Sequence, residues 1–260
     1  MITAETPFHP VDHKWPDQPG DTGTISIGGS SFAVLDSVIA GCAEGTGQLR
    51  FQGDLPKRST LGWWWGVAHL ISLETREPDD LPHQRADLSV DAEKRLHLSA
   101  GHTASHLFSF AFNWHTRRFW RGVAPQVDSV GNPNLDQLAI QSSRIRLNES
   151  IDHYRFGKTL SKSGFESAAF LLALDATADD INRTVQEWIS RGGPVSINCD
   201  SSTVDARREW ACELPIGAAR MLCGGTHLKD LSQLRSATVR IERIPDVAEI
   251  RAHTYVELAH

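Results

Sequence analysis

The stretch VDAEKRLHLSAGHTASHLFSFAFNW, residues 90–114, decides how the second half of the chain folds. It contains no proline, and Asp91 is a residue type preferred at helix N-caps. We therefore predict one long helix here, with Gly101 costing about 1 kcal/mol relative to alanine. On this helix His102 and His106 share one face, because positions i and i+4 are neighbours.

A second pair of metal-binding residue types has the same spacing far downstream, in the stretch MLCGGTHLKD. Cys223 and His227 are separated by three small residues, Gly224, Gly225 and Thr226. Imidazole and thiolate groups are ligands that zinc prefers. If the pairs converge, they form a Zn²⁺ site with the ligands His102, His106, Cys223 and His227. Taken singly, each pair is also typical of hydrogen-bonded histidines or of a glycine turn beside an inert cysteine.

The two halves of the chain differ in pattern. Before residue 90, short β-type runs at 23–39, 47–54 and 62–74 favour a small barrel or sandwich, with a hairpin turn at Gly28-Gly29. After residue 90 we predict a helix over 178–193 and strands over 165–175, 193–200 and 236–244. Residues 115–140, rich in Pro, Gly and Asn, indicate a long loop or insertion. We therefore predict domains at 1–88 and 89–260.

Composition and charge limit the possible partners and the compartment. The formal charge is −6, from 26 basic and 32 acidic residues, so any nucleic-acid contact must come from a local basic patch. No apolar run approaches the ~20 residues of a membrane span, and the first 30 residues do not resemble a signal peptide. The four cysteines lack paired spacing, which fits a reducing compartment. We expect a cytoplasmic protein without a membrane partner.

The motifs HTASH, residues 102–106, and CGGTH, residues 223–227, resemble those of the alanyl-tRNA synthetase editing domain and its free-standing AlaX homologues. The opening segment is also similar to the family pattern Gly-Gly-Gln-Pro-x-Asp-x-Gly. The matching residues are Gln18, Pro19, Asp21 and Gly23. The glycine pair, which the family links to recognition of serine, is replaced here by Pro16-Asp17.

The resemblance implies an α+β fold with an N-terminal small β-barrel domain. An α/β-sandwich catalytic domain of the alanyl/threonyl-tRNA synthetase editing type follows it. It also implies an aminoacyl-tRNA deacylase that hydrolyses the ester of a mischarged tRNA as part of translation quality control. The amino acid is serine, glycine or a non-standard one, such as an analogue of threonine or alanine.

Two mechanisms are compatible with these motifs. Zinc lowers the pKa of bound water to about 7 and polarises a carbonyl. Four protein ligands, however, make a closed site, which is usually structural. The related editing domain of bacterial threonyl-tRNA synthetase is thought to work without zinc, and a metal-free version would use a histidine as general base. A zinc-protease helix is not predicted, because Thr103 stands where that motif has its glutamate.

Other residues are secondary candidates. The substrate-pocket candidates are Thr103, Ser105, Gln141, Gly224, Gly225 and Thr226. The backbone amides of the two glycines could donate to an oxyanion, although a turn would also explain them. The candidates for contact with tRNA are Arg117, Arg118 and Arg121, which are interleaved with Phe119 and Trp120. A solvated loop with two core aromatic residues would also explain this segment.

Two other functions remain open at this stage. One is a catalytically silent zinc-containing module that binds aminoacyl-tRNA or docks on a synthetase. The other is a hydrolase for a small amino-acid derivative. Dependence of the rate on the tRNA body would distinguish the latter from a tRNA deacylase.

Overall fold

The computed structural model describes residues 1–57, 60–72 and 84–259 and has the mixed α+β class that the sequence predicts. The chain divides into two compact units. The first comprises Met1–Leu96, Cys199–Arg207 and Gly224–Thr226. The second comprises His97–Asn198, Arg208–Cys223 and His227–His260. The sequence predicts a boundary between residues 88 and 89, whereas the continuous part of the first unit runs to Leu96.

The first unit contains an antiparallel sheet with a central long strand. Its strands are β1 (Gly23–Ile27), β2 (Ser30–Ala43), β3 (Leu49–Phe51), β4 (Trp63–Ile71) and β5 (Ala86–Val90). Strand β2 pairs with β1, β3 and β4, and β1 pairs with β5. Gly28 and Gly29, at φ 58° and 79°, form the tight turn between β1 and β2, which confirms the predicted hairpin.

The predicted closure of this sheet into a small barrel is not found among the described residues. Closure requires every strand to pair along both edges. Here β4 pairs with β2 and β5 pairs with β1, and no described strand joins β4 to β5. The connecting residues 73–83 lie outside the described residues, as do the last two positions of the strand predicted over 62–74. The described part is therefore an open sheet.

The second unit combines helices with two antiparallel sheets. Its helices are α1 (Ala92–Thr116, which begins in the first unit), α2 (Leu135–Ala139), α3 (Lys158–Lys162), α4 (Ser167–Leu172) and α5 (Leu174–Arg191). Its strands are β6 (Ile140–Arg146), β7 (Glu149–Arg155), β8 (Val195–Cys199), β9 (Arg208–Leu214), β10 (Gly217–Leu222), β11 (Leu234–Ile244) and β12 (Glu249–Leu258). One sheet has the order β11-β12-β7-β6, the other β10-β9-β8.

Most predicted elements of this half are confirmed, and one is wrong. Helix α1 begins after Asp91, whose carboxylate accepts from the Lys94 N–H at 2.9 Å, as an N-cap residue does. The predicted strand over 165–175 is instead α4 followed by the first two residues of α5. Phe170 and Leu174, four residues apart, are buried, while Leu172 is exposed. This spacing is helical, and a short apolar run does not by itself distinguish a strand from a buried helix.

The helix-weakening glycine of α1 has a packing reason. A Cβ on Gly101 would lie 2.7 Å from the Glu149 carbonyl oxygen and 2.9 Å from that of Arg146. The α1 backbone therefore touches the turn between β6 and β7, and no larger residue fits there without a shift. This contact fixes the part of α1 that carries the two histidines.

The segment over 115–140, predicted as a long loop, contains two short elements. A 3₁₀ helix spans Arg117–Phe119, and α2 closes the segment. Between them, the Asp128 carboxylate accepts from the Val130 and Asn132 N–H groups at 3.1 and 2.9 Å. Side-chain bonds of this kind satisfy the backbone of a turn. Among the described residues, no helix combines the length and apolar character needed to cross a membrane.

Candidate metal centre

Helix α1 places two imidazoles side by side in the interior of the second unit. His102 and His106 are 2% and 6% exposed. Their ring centroids are 4.9 Å apart and the rings are nearly perpendicular. This is the arrangement that the i, i+4 spacing predicts, and packing at Gly101 holds this part of the helix in place.

The downstream pair meets the histidines of α1. Cys223 directly follows β10, and its Sγ lies 3.4 Å from His102 Nε2 and 3.2 Å from His227 Nε2. Four side chains each contribute one possible metal-donor atom, and these four atoms all lie within 4.8 Å of one another. The four residues are His102, His106, Cys223 and His227. Around zinc, a sulfur at about 2.3 Å and a nitrogen at about 2.05 Å would be ~3.5 Å apart at the tetrahedral angle. This group could therefore hold a metal ion.

The protonation state of His106 suits metal binding. Burial, with the neighbouring His102 as a smaller cause, lowers its pKa well below the usual value. The ring is therefore neutral near pH 7, which is the form that binds metals. Its Nδ1 is buried and has no hydrogen-bond partner among the described residues. A buried nitrogen without a partner is unfavourable unless a ligand satisfies it.

Thr103 orients the fourth member of the group. Its Oγ1 lies 3.2 Å from His227 Nδ1 and accepts from the Leu228 N–H at 3.1 Å. The tautomer that leaves Nε2 of His227 free as a ligand carries its proton on Nδ1, which then donates to this hydroxyl. Such partners fix the ring orientation of metal-binding histidines. In the structure this candidate pocket residue therefore contacts the donor group.

Trp210 forms one wall of the site and was not among the predicted residues. It is fully buried on β9, and its ring meets His106 edge-on at 4.9 Å between centroids and lies 6.2 Å from the ring of His227. The alternation of buried Trp210, Cys212 and Leu214 along β9 is a strand pattern visible in the sequence. The contact with His106 depends on tertiary packing, which that pattern does not contain.

Ser105 contacts a buried carboxyl group. Its Oγ donates to Asp152 Oδ2 at 3.4 Å, and Ser150 donates to the same oxygen at 3.1 Å. Burial is the main cause that raises the pKa of Asp152 to about 7; hydrogen bonds from Ser143, Ser150 and Ser105 act in the opposite direction. Ser105 thus connects α1 to β7.

Several residues of the similar opening segment and of the glycine turn lie in the first unit. Gln18 binds Thr226 twice: its Nε2 donates to Oγ1 at 2.8 Å, and its Oε1 accepts from the backbone N–H at 3.0 Å. Asp21 is buried and forms an ion pair with Arg95. At Gly224, whose φ is not positive, the nearest atom to an added Cβ would be an Asp12 carboxylate oxygen at 3.7 Å. A turn therefore does not require glycine at this position.

The remaining candidates bind local partners. Gln141 is exposed on β6, and its amide donates to the Ala139 and Ile140 carbonyls. The guanidinium of Arg117 lies 3.5 Å from the centroid of the Trp114 ring. Arg118 binds Asp180 and Thr177, and Arg121 forms an ion pair with Glu166. The charges of Arg118 and Arg121 are thus each balanced by a neighbouring carboxylate.

A search against models of known protein families finds no match to this chain, and a search of curated proteins finds no significant relative. The donor group and the motifs that supply it therefore carry the functional inference.

Proposed function

We propose that this protein is a zinc-dependent aminoacyl-tRNA deacylase that hydrolyses the ester of a mischarged tRNA. The observation that carries the proposal is the convergence of the HTASH and CGGTH motifs into one group of donors within 4.8 Å. These motifs resemble those of the alanyl-tRNA editing family, and three imidazoles with one thiolate are a ligand set typical of zinc.

Ester hydrolysis requires an activated water and stabilisation of the charge that develops on the carbonyl oxygen. Held by three of the four donors His102, His106, Cys223 and His227, with the remaining position left for water, Zn²⁺ would supply both, by lowering the pKa of water to about 7 and by polarising the ester. Thr103 holds the His227 ring in its orientation. Trp210 packs against His106 and excludes water from that side.

The alternative is a catalytically silent zinc-containing module that binds aminoacyl-tRNA or docks on a synthetase. The observation that favours it is the presence of four donors, because four protein ligands close the coordination of zinc. In such a module the same residues would stabilise the fold and leave the ester intact.

Single-turnover deacylation, beside metal analysis, tests the proposal. We expect about one zinc per chain, as for a single site with nitrogen and sulfur ligands. The substrates are tRNAs charged with serine, glycine, or analogues of threonine or alanine. Cys223→Ala should reduce the hydrolysis rate by ~100-fold or more, since several kcal/mol of charge stabilisation come from a catalytic metal. Cys199→Ala is the matched control, because that thiol is exposed and donates to the Ser201 carbonyl.

Each competing function predicts a different result. A silent module gives no hydrolysis with any substrate, and Cys223→Ala lowers only its thermal stability. Hydrolysis that resists a chelator but is lost in His102→Ala indicates the metal-free version with a histidine base. A rate independent of the tRNA body indicates a hydrolase for small amino-acid derivatives. Full activity in a well-folded Cys223→Ala variant would refute the site itself.

A further inference from the structure

The four-stranded sheet of the second unit has one exposed face. Along each strand buried and exposed side chains alternate, so that Ile145, Tyr154, Val239 and Ala252 point into the core. The strand register places a row of four residues across the opposite face. This row consists of Arg144, Ile151, His253 and Arg240. We call this the outer sheet face.

The outer sheet face has an excess of positive charge although the chain is acidic. The register assigns it five arginines, Arg144, Arg146, Arg155, Arg240 and Arg251. All five are exposed. Its glutamates number four, namely Glu149, Glu242, Glu249 and Glu257. The whole chain carries a formal charge of −6, whereas this face has one more arginine than glutamate, and an acidic protein that binds RNA requires such a locally basic surface.

Three of the five arginines of this face are available to a ligand, whereas Arg146 lies 3.9 Å from Glu149 and Arg155 lies 3.7 Å from Glu249. Within the described parts of the chain, Arg144, Arg240 and Arg251 form no ion pair with a carboxylate. By contrast, two of the glutamates are held by histidines: Glu249 lies 2.9 Å from His153 Nε2, and Glu149 lies 3.3 Å from His253 Nδ1. Arg117, Arg118 and Arg121 differ from these three unpaired arginines, because each contacts a local aromatic ring or carboxylate.

Aromatic rings accompany these charges. Tyr255 is 43% exposed, and its ring stacks on His253 with centroids 6.0 Å apart and an angle of 15°. Arg240 is the cross-strand partner of His253, so an arginine neighbours this pair of rings in the sheet. A basic surface with an exposed aromatic ring suits RNA, whose phosphates pair with arginine and whose unpaired bases stack on rings.

We propose that the outer sheet face binds the phosphate backbone of RNA, and that tRNA is this RNA. The choice of tRNA rests on the proposed function; the basic and aromatic character of the face does not. A sheet presents its side chains at fixed intervals, about 6.7 Å between alternate residues and about 4.8 Å between strands. The sheet therefore fixes the spacing of the arginine Cα atoms, which does not depend on loop ordering.

Binding of uncharged tRNA tests this surface separately from hydrolysis, because no ester is present. Fluorescence anisotropy with labelled tRNA should give a Kd at least about tenfold weaker for the Arg144→Ala/Arg240→Ala double variant at 0.1 M salt. The slope of log K against log salt should fall by about 1.5, since two phosphate contacts are lost. The Arg144→Lys/Arg240→Lys variant should retain most of the slope, because both charges remain.

A matched control and a stacking variant sharpen the test. Arg183→Ala/Arg191→Ala removes the same charge from exposed positions on α5 and should leave the affinity within about twofold. Tyr255→Ala should weaken binding about fivefold or more, whereas Tyr255→Phe should not, since stacking needs only the ring.

The following results overturn the proposal. One is an unchanged affinity and salt slope in the double variant; another is an equal loss in the α5 control. A loss confined to an Arg117→Ala/Arg118→Ala/Arg121→Ala variant would place the tRNA surface at that segment. A dimer that dissociates in the double variant would identify the face as a self-association surface, and tighter binding to anionic vesicles than to tRNA would identify a membrane contact. If tRNA binds through this face but no charged tRNA is hydrolysed, the proposed deacylase fails and the surface stands.

Discussion

Replacing Thr103 by valine tests whether the hydroxyl that contacts His227 supports the metal centre. Valine matches threonine in shape but lacks the hydroxyl, so the change removes two contacts with little change in packing. These are the contacts with His227 Nδ1 at 3.2 Å and with the Leu228 N–H at 3.1 Å. Thr103 is fully buried, so water cannot replace the lost oxygen without entering the core.

The size of the effect follows from these two contacts. Loss of an outer partner of a metal-binding histidine typically lowers metal affinity 10- to 100-fold, so we expect a zinc Kd weaker by about that factor. The unpaired Leu228 N–H should lower the free energy of unfolding of the metal-free protein by about 1–3 kcal/mol. The two effects are separable, because only the first depends on zinc.

Chelator competition measures the zinc Kd, and urea unfolding of the metal-free protein measures the stability. Thr103→Ser is the control, because it keeps the hydroxyl and should retain a zinc affinity close to that of the original protein. A Thr103→Val variant that binds zinc as tightly as the Ser variant would refute the orienting role of this side chain. A loss of stability without a loss of zinc affinity would assign Thr103 to the fold alone.

Two further changes test the packing beneath the histidine helix. Gly101→Ala should lower the free energy of unfolding by about 1–2 kcal/mol, because the added Cβ would meet backbone oxygens of Glu149 and Arg146 within 3 Å. This strain exceeds the gain of ~1 kcal/mol in helix propensity that alanine provides. A urea titration that shows a stabilised variant would contradict the close approach. Asp152→Asn should become more stable relative to the original protein as the pH rises. In the original protein the folded-state pKa of Asp152, about 7, lies above that of an unfolded aspartate. The buried carboxylate therefore does not destabilise the original protein below about pH 4 and destabilises it fully above about pH 7. At about 1.4 kcal/mol per pKa unit, the difference in free energy of unfolding between the two proteins should change by roughly 4 kcal/mol across this pH range. If urea unfolding shows a difference that is constant with pH, burial does not destabilise the ionised carboxyl group.

The sequence predicts the parts of the site that depend on local spacing. Asp91 marks the start of α1, and the four-residue intervals place each donor pair on one side of its segment. The convergence of the two pairs could be predicted only because their residue types share a metal preference. Nothing in the periodicity of either stretch brings His102 near Cys223.

Features that depend on long-range packing could not be predicted in this way. Trp210 meets His106 only because β9 packs against α1, and the Ser105–Asp152 contact joins residues far apart in the chain. The apolar run over 165–175 has no strand partner in either sheet and buries Phe170 against other aromatic rings instead. Local composition shows that such a run is apolar, but it does not show which other residues will pack against it.

The histidines of the donor group present different nitrogens to a metal, and the number of donors that bind zinc separates the hydrolase from the silent module. His227 is oriented by Thr103, whereas Nδ1 of His106 has no hydrogen-bond partner among the described residues. The Thr103 contact thus leaves Nε2 as the donor atom of His227, whereas Nδ1 is the buried nitrogen of His106 that a metal would satisfy. A zinc hydrolase requires one position that is not filled by the protein, and a structural site requires all four to be filled. The two functions therefore differ in the number of protein ligands: the hydrolase needs one of the four residues to leave its position to water, and the module needs all four to bind.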